Sequence, residues 1–325
     1  MCGTIDYYIA AFSRLRTDKN RKCWTAATTF RAPHKPFLLL AILDLVAQGR
    51  IAQNFIEPTF ELAETFNGYW QQLMPLGTTG NMAYPFFHMD SEPFWNLVPR
   101  PEVNPPAGKV VSSMKRIREL YLGAKLEDEL FKLLLMEPLR NKLRSVLVKT
   151  YFAPAIQPAL LEQGHINIQA DAYSRELLEH GDPPAEYAAA EASAQTENKI
   201  RTQGFRKSIV ILYEHRCALC GIRMLTPDGH TVVEAAHIIP WCETRDDKPS
   251  NGLSLCRLCH WSFDEGLMGV DKNYEVLISK LIKSEPNFPG HIMTLSGRMI
   301  FRPVNQVYWP AQEKLERHRK KVLKR

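Results

Sequence analysis

Two sets of residues between Cys217 and Asp264 could do chemistry. The first is Cys217-Ala-Leu-Cys220 and Cys256-Arg-Leu-Cys259, with 35 residues between the two pairs. Two thiolates spaced this way in a tight turn hold one side of a tetrahedral ion, and a second pair supplies the other side. The pattern predicts a structural zinc that closes a small fold with little core of its own. A thioredoxin-like redox site would need a single Cys-x-x-Cys inside a βαβ frame, and no such frame is evident. Cys2, Cys23 and Cys242 follow no pattern, and seven cysteines fit a reducing compartment better than a disulfide framework.

The second set is His237 in Glu234-Ala-Ala-His-Ile-Ile-Pro240, Asn251 in Asn-Gly-Leu, and His260 directly after Cys259. Locally these read as a strand entering a turn, a loop, and the start of a helix. A neutral imidazole, with a usual pKa of about 6.5, can take a proton from water at neutral pH. A divalent ion can stabilise the charge that develops at a phosphoryl group. Together they point to a metal-dependent phosphodiester hydrolase built on two strands and a helix. The bland alternative is three unrelated polar residues around a zinc fold.

These residues resemble the HNH endonuclease family. The likeness rests on the two Cys-x-x-Cys pairs, Glu-Ala-Ala-His-Ile-Ile-Pro, Asn-Gly-Leu, Cys-His260 and the trailing Phe263-Asp264-Glu-Gly-Leu-Met-Gly-Val-Asp271, over about residues 205–275. The resemblance implies that His237 is the general base. It implies that Asn251 orients the loop or the base through its amide, and that His260 binds the catalytic Mg²⁺ or Mn²⁺. Many family members carry an Asp or His ligand just before the first His, where this chain has Ala236. Substitutes are Glu234, two residues earlier on the same strand face, and Asp264, four after His260 on the same helix face.

The rest of the chain must bring such a centre to a polyanion. Residues 1–155 carry 19 Lys/Arg against 14 Asp/Glu, residues 156–198 one against eight, and residues 199–325 21 against 13. Two basic blocks around an acidic segment suggest two surfaces that meet nucleic acid; a solvated surface on a mildly basic protein is the plain alternative. The expected domains are residues 1–155, an acidic linker 156–198, and 199–325 with a basic tail.

The front block predicts helices over Tyr7–Phe12, Pro36–Val46 and Phe60–Leu73, the second apolar nearly all round and therefore buried. Short aromatic runs, Phe86–Met89 and Phe94–Leu97, read as strands of a hairpin. Further helices are expected at 114–122, 126–135, 138–152 and 199–215, and strands at 274–282 and 299–309. The longest apolar run, Phe37–Leu43, is too short to span a bilayer, and Met-Cys-Gly-Thr-Ile-Asp is no signal peptide. A cytoplasmic protein with no membrane partner is expected. The fold class expected is α+β: a mixed N-terminal DNA-reading domain, then a ββα-metal nuclease domain with a four-cysteine zinc site.

Taken singly, His34 and Lys35 before an apolar helix read as capping and solubilising residues, and Tyr84-Pro85-Phe86-Phe87 as core. Together, Arg31-Ala-Pro-His-Lys-Pro-Phe-Leu-Leu-Leu, Tyr84-Pro-Phe-Phe-His-Met and Phe94-Trp-Asn-Leu resemble the sulfur-binding domain found in front of HNH nucleases, over about residues 5–150. Those enzymes are type IV restriction endonucleases that cut DNA with phosphorothioate in its backbone. The resemblance implies double-stranded, phosphorothioated DNA as partner. Sulfur is larger, softer and less hydrated than oxygen, so Tyr84 and Pro85 would form a shallow apolar seat. Arg31, His34 and Lys35 would clamp the flanking backbone and His88 would reach a base edge. Arg100, Lys109 and Arg116 are candidates for a further basic contact. One ββα centre cuts one strand, so a homodimer is expected, at least on DNA. Competing readings are a methyl-cytosine reader with a Phe86/Phe87/Trp95 cage, and a non-catalytic zinc module that would not need His237 and Asn251.

Overall fold

The structure is a computed structural model and describes residues 2–74, 80–103, 111–183, 193–283 and 287–324. Parts of the expected loops at 77–85 and 103–108, Lys109, and residues 184–192 of the expected linker lie outside them. The chain divides into two compact units, Met1–Ile168 with Thr226–His230, and Gln169–Leu225 with Thr231–Arg325.

The first unit is built around one helix. It holds α1 (Cys2–Ser13), α2 (His34–Ala47), α3 (Phe60–Leu73), α4 (Ala83–His88), β1 (Trp95–Pro99), α5 (Met114–Leu120), β2 (Tyr121–Leu126), α6 (Asp128–Leu135) and α7 (Glu137–Tyr151). Every residue of α2 from Lys35 to Val46 is buried, as its unbroken apolar sequence requires. Near its C-terminal end sits the carboxylate of Asp44. Asp44 pairs with Arg144 at 2.6 Å and accepts from the Tyr69 hydroxyl at 2.8 Å and from Asn167 Nδ2 at 2.7 Å. Polar groups buried this deeply are tolerated only when paired and hydrogen-bonded in this way.

Two local readings change. Phe86 and Phe87 lie in the short helix α4, and only the second aromatic run forms a strand, β1, which pairs antiparallel with β2. The side chain of Ser113 caps α5 by accepting from Arg116 N at 3.2 Å. A four-to-six-residue apolar run satisfies both helical and strand periods, so its partner decides.

α8 (Gln157–His180) occupies much of the stretch expected as linker, and α9 (Ala194–Leu212) begins before its expected end. The second unit continues with β3 (Val233–His237), α10 (Trp241–Thr244), β4 (Gly252–Cys256), α11 (Arg257–Asp264), β5 (Met268–Val270), β6 (Val276–Ile278) and α12 (Gln312–Lys321). β3 and β4 are antiparallel with Val233 opposite Cys256 and His237 opposite Gly252, and α11 follows β4 without a loop. This is the expected β-β-α order. α9 packs against the hairpin so closely that a Cβ on Gly252 would collide with Ile209. The strand expected at 299–309 is reduced to a bridge between Met299 and Glu275 and a 3-10 turn at Gln306–Tyr308. No helix among the described residues is long and apolar enough to cross a membrane.

Candidate functional site: a four-cysteine knuckle pair, a His–Asp centre and an aromatic cavity

The four knuckle cysteines converge. Their sulfurs all lie within 4.8 Å of one another, and Cys220 Sγ is 3.8 Å from Cys256 Sγ. Thiolates about 2.3 Å from a tetrahedral zinc stand roughly 3.8 Å apart, so the cluster fits that ion. Local backbone explains the fit. Cys217 N donates to Ile222 O at 2.9 Å and Gly221 N to Cys217 O at 2.9 Å, which curls the first pair into a knuckle. Gly221 sits at φ +79°, and a Cβ there would strike the Phe301 ring. The second pair lies at the β4–α11 junction, with Cys256 as the residue before the helix and Cys259 in its first turn.

His237 ends β3. Its ring stacks on Phe205 of α9, centroids 3.9 Å apart and planes within 9°. Its Nε2 lies 2.8 Å from Asp247 Oδ1. Asp247 is 1 % exposed and also accepts from Arg201 at 2.8 and 2.9 Å and from the Tyr173 hydroxyl at 2.8 Å. Burial pushes this carboxyl up, but hydrogen bonds from His237, Arg201 and Tyr173 and the Arg201 charge outweigh it and hold it below the usual carboxylate range. Neither Asp247 nor its two other partners is marked by any spacing in the sequence. They come from α8, α9 and the loop after α10.

Asn251 is fully buried and works on the loop. Its Nδ2 donates to Ile239 O at 3.0 Å and Asp246 O at 2.9 Å, while its Oδ1 accepts from Ile239 N at 3.0 Å. Of the two roles open from the sequence, the contacts match loop bracing; the amide makes no bond to His237.

His260 stands on α11 between two carboxylates. Its Nδ1 is 3.5 Å from Glu234 Oε2 and its Nε2 3.4 Å from Asp264 Oδ2. Ala236 is buried, and Glu234, two residues earlier, reaches the helix instead. Because the carboxylates face opposite ring nitrogens, one ion can take His260 with only one of them. The other is then placed to hold the remaining N–H, the usual arrangement behind a metal-bound imidazole.

In the first unit, five of the seven residues named from the sequence border one cavity of about 390 Å³: His34, Lys35, Tyr84, Pro85 and His88. Arg16, Thr17, Asp18, Trp24 and Ala32 complete it and carry no sequence signal. The structure does not bring Arg31 or Arg100 to its wall. Arg31 lies over the Tyr151 ring at 5.7 Å, and Arg100 Nε donates to Arg118 O at 2.7 Å. Arg116 pairs with Glu119 at 2.9 Å.

The charges of this cavity also depart from expectation. His34 is wedged between Trp24 and Trp70, with centroids at 5.4 and 4.8 Å, and burial drives its pKa down to about 4. It is neutral at pH 7 and cannot clamp a phosphate by charge. Lys35 is buried, ion-paired with Glu92 and bonded to Ser91 Oγ at 2.9 Å, so its ammonium is already spent. Burial also lowers the pKa of His88, with the Lys35 charge adding to it. Tyr84 is exposed, and its ring lies parallel to that of His88 with centroids 6.5 Å apart.

Comparisons with known proteins match two separate stretches of the chain. The HNH_2 family, HNH endonucleases, matches residues 217–271, and the ScoMcrA-like DNA sulfur-binding domain matches residues 9–167. The chain carries an HNH endonuclease domain behind a ScoMcrA-like DNA sulfur-binding domain. Two solved structures are similar to it. One is the modification-dependent restriction endonuclease TagI, at 22% identity and TM-score 0.27, covering 42% of this chain and 40% of that one. The other is the type IV phosphorothioation-dependent restriction endonuclease ScoMcrA, at 10% identity and TM-score 0.35, covering 96% and 99%. No curated protein matches the chain.

Proposed function

We propose that this protein is a modification-dependent restriction endonuclease that binds phosphorothioated double-stranded DNA and hydrolyses phosphodiester bonds nearby. One observation carries the reading: a cavity lined by Trp24, Tyr84 and Pro85, with His34 neutral and Lys35 ion-paired, inside a matched sulfur-binding domain, on the same chain as a histidine held by a buried carboxylate inside a matched HNH domain. An oxygen anion prefers water or a counter-charge. A soft, poorly hydrated sulfur loses less on entering an apolar pocket, so Tyr84 and Pro85 favour sulfur over oxygen by desolvation.

In the cutting domain, His237 takes a proton from water, whose oxygen bonds to phosphorus as the ester P–O bond breaks. Glu234 and His260 would hold a Mg²⁺ or Mn²⁺, with Asp264 keeping the second His260 nitrogen in place. Such an ion supplies positive charge for the leaving oxygen. Cys217, Cys220, Cys256 and Cys259 would hold a structural zinc that sets the β4–α11 junction. Asn251 braces the loop from Ile239 to Asp246. Cutting both strands calls for two protomers, so a homodimer on DNA belongs to the proposal.

Matched duplexes with and without one phosphorothioate link, in Mg²⁺ or Mn²⁺, test it. Tighter binding and cutting of the modified duplex are expected, with loss of cutting but not of binding in His237→Ala. Equal affinity for the two duplexes sinks the sulfur reading. Cutting that survives His237→Ala sinks the nuclease assignment.

A further inference from the structure

The buried carboxylate beside His237 decides which ring nitrogen is basic. We infer that Asp247 is a positioning residue of the nuclease reaction: its carboxylate keeps the neutral His237 ring protonated at Nε2, leaving Nδ1 as the atom that accepts a proton from water. The inference rests on the nuclease reading above and adds a residue and a tautomer to it.

The argument is one of donors and acceptors. A carboxylate held ionised can only accept hydrogen bonds, so at 2.8 Å the proton between Asp247 and His237 belongs to Nε2. Asp247 stays an acceptor because Arg201 and Tyr173 donate to it from α9 and α8. The guanidinium of Arg201 is itself fixed from the other side, lying 4.0 Å over the Trp241 ring. Nδ1 of His237 has no hydrogen-bond partner among the described residues, and the side chain is about one-fifth exposed. The Phe205 stack fixes the ring plane, and turning the ring over within that plane would take Nε2 away from Asp247. When a water proton moves to Nδ1, the oxygen–phosphorus bond forms, the ester P–O bond breaks, and the leaving alkoxide takes its proton from solvent. Nε2–H stays with Asp247 throughout.

Asn251 fits the same scheme. By holding Asp246 O at 2.9 Å it fixes the backbone one residue before Asp247, and Lys314 holds the Asp246 side chain at 2.6 Å.

Three full-length variants test the inference: Asp247→Asn, His237→Ala and the double variant. The substrates are the phosphorothioate duplex and its unmodified twin, in Mn²⁺. Asp247→Asn keeps the shape but can present an N–H to Nε2 and reverse the tautomer. Its kcat is expected to fall roughly 10²- to 10⁴-fold, the range general-base catalysis contributes, with DNA affinity and zinc content unchanged. The double variant is expected to be no slower than His237→Ala, because Asp247 acts through the ring. Nitrogen-15 spectra of histidine-labelled wild-type protein are expected to show His237 as the Nε2–H tautomer. An Nδ1–H tautomer in the wild type overturns the inference whether or not the variants fold. So does wild-type cutting by Asp247→Asn when His237→Ala is inactive. Wild-type cutting by His237→Ala overturns the nuclease reading instead, which separates the two failures.

Discussion

The two sites treat charge in opposite ways. At the His237 centre a carboxylate is buried and kept ionised by Arg201, Tyr173 and the imidazole itself. In the cavity of the first unit, the two residues expected to act as cations are cancelled, while Arg16 also stands on its wall. His34 is neutral between two indoles, and Lys35 is consumed by Glu92. Bond-breaking needs a preorganised charge next to the reacting atoms. Under the proposed sulfur reading, selectivity comes from a pocket that costs the better-hydrated oxygen more of its water than it costs sulfur.

The largest expected effect tests whether the cutting domain depends on metal while the reading domain does not. Cys217→Ser is expected to abolish zinc binding and unfold the second unit, because a structural zinc contributes on the order of 10 kcal/mol to such folds. Metal analysis and limited proteolysis check this; affinity for phosphorothioate DNA should survive in the first unit. A stable, zinc-free variant that cuts would remove the structural-zinc role.

A smaller effect is expected where Lys35 loses its ion-pair partner. Glu92→Gln leaves the buried Lys35 ammonium beside a neutral partner and should cost about 3 kcal/mol in urea unfolding. It should also raise affinity for unmodified DNA, narrowing the sulfur-to-oxygen preference. An unchanged preference would show that the pairing of Lys35 does not control discrimination.

The smallest concerns His34 and pH. Its folded pKa of about 4 lies below the usual value of 6.5. The unfolded chain therefore binds the proton more readily between those values. The stabilisation is complete above pH 6.5 and is lost as pH falls towards 4, a change on the order of 3 kcal/mol. His34→Phe should flatten stability against pH across that window. An unchanged slope would mean that His34 is not held neutral by its two tryptophans.

Local spacing made part of this protein readable in one dimension. Cys-x-x-Cys chelation depends on a single turn, α2 had to be buried because no face of it is polar, and Glu234 two residues from Ala236 had to share its strand face. His237, Asn251 and His260 stood out through the resemblance of their surrounding motifs to HNH endonucleases. Phe86 and Phe87 were misplaced because a run that short carries no decisive period.

What only the tertiary structure decided is which charges remain available. Asp247 lies in Arg245-Asp-Asp-Lys248, an ordinary polar loop by sequence; its importance comes from Arg201, 46 positions earlier, and Tyr173, 74 positions earlier. His34 and Lys35 looked like cations because sequence reports formal charge. Burial between Trp24 and Trp70, and the arrival of Glu92 from a distant turn, set their actual state. Chain order specifies which groups exist. Their ionisation and free nitrogens depend on desolvation and partners, which exist only once distant segments have packed.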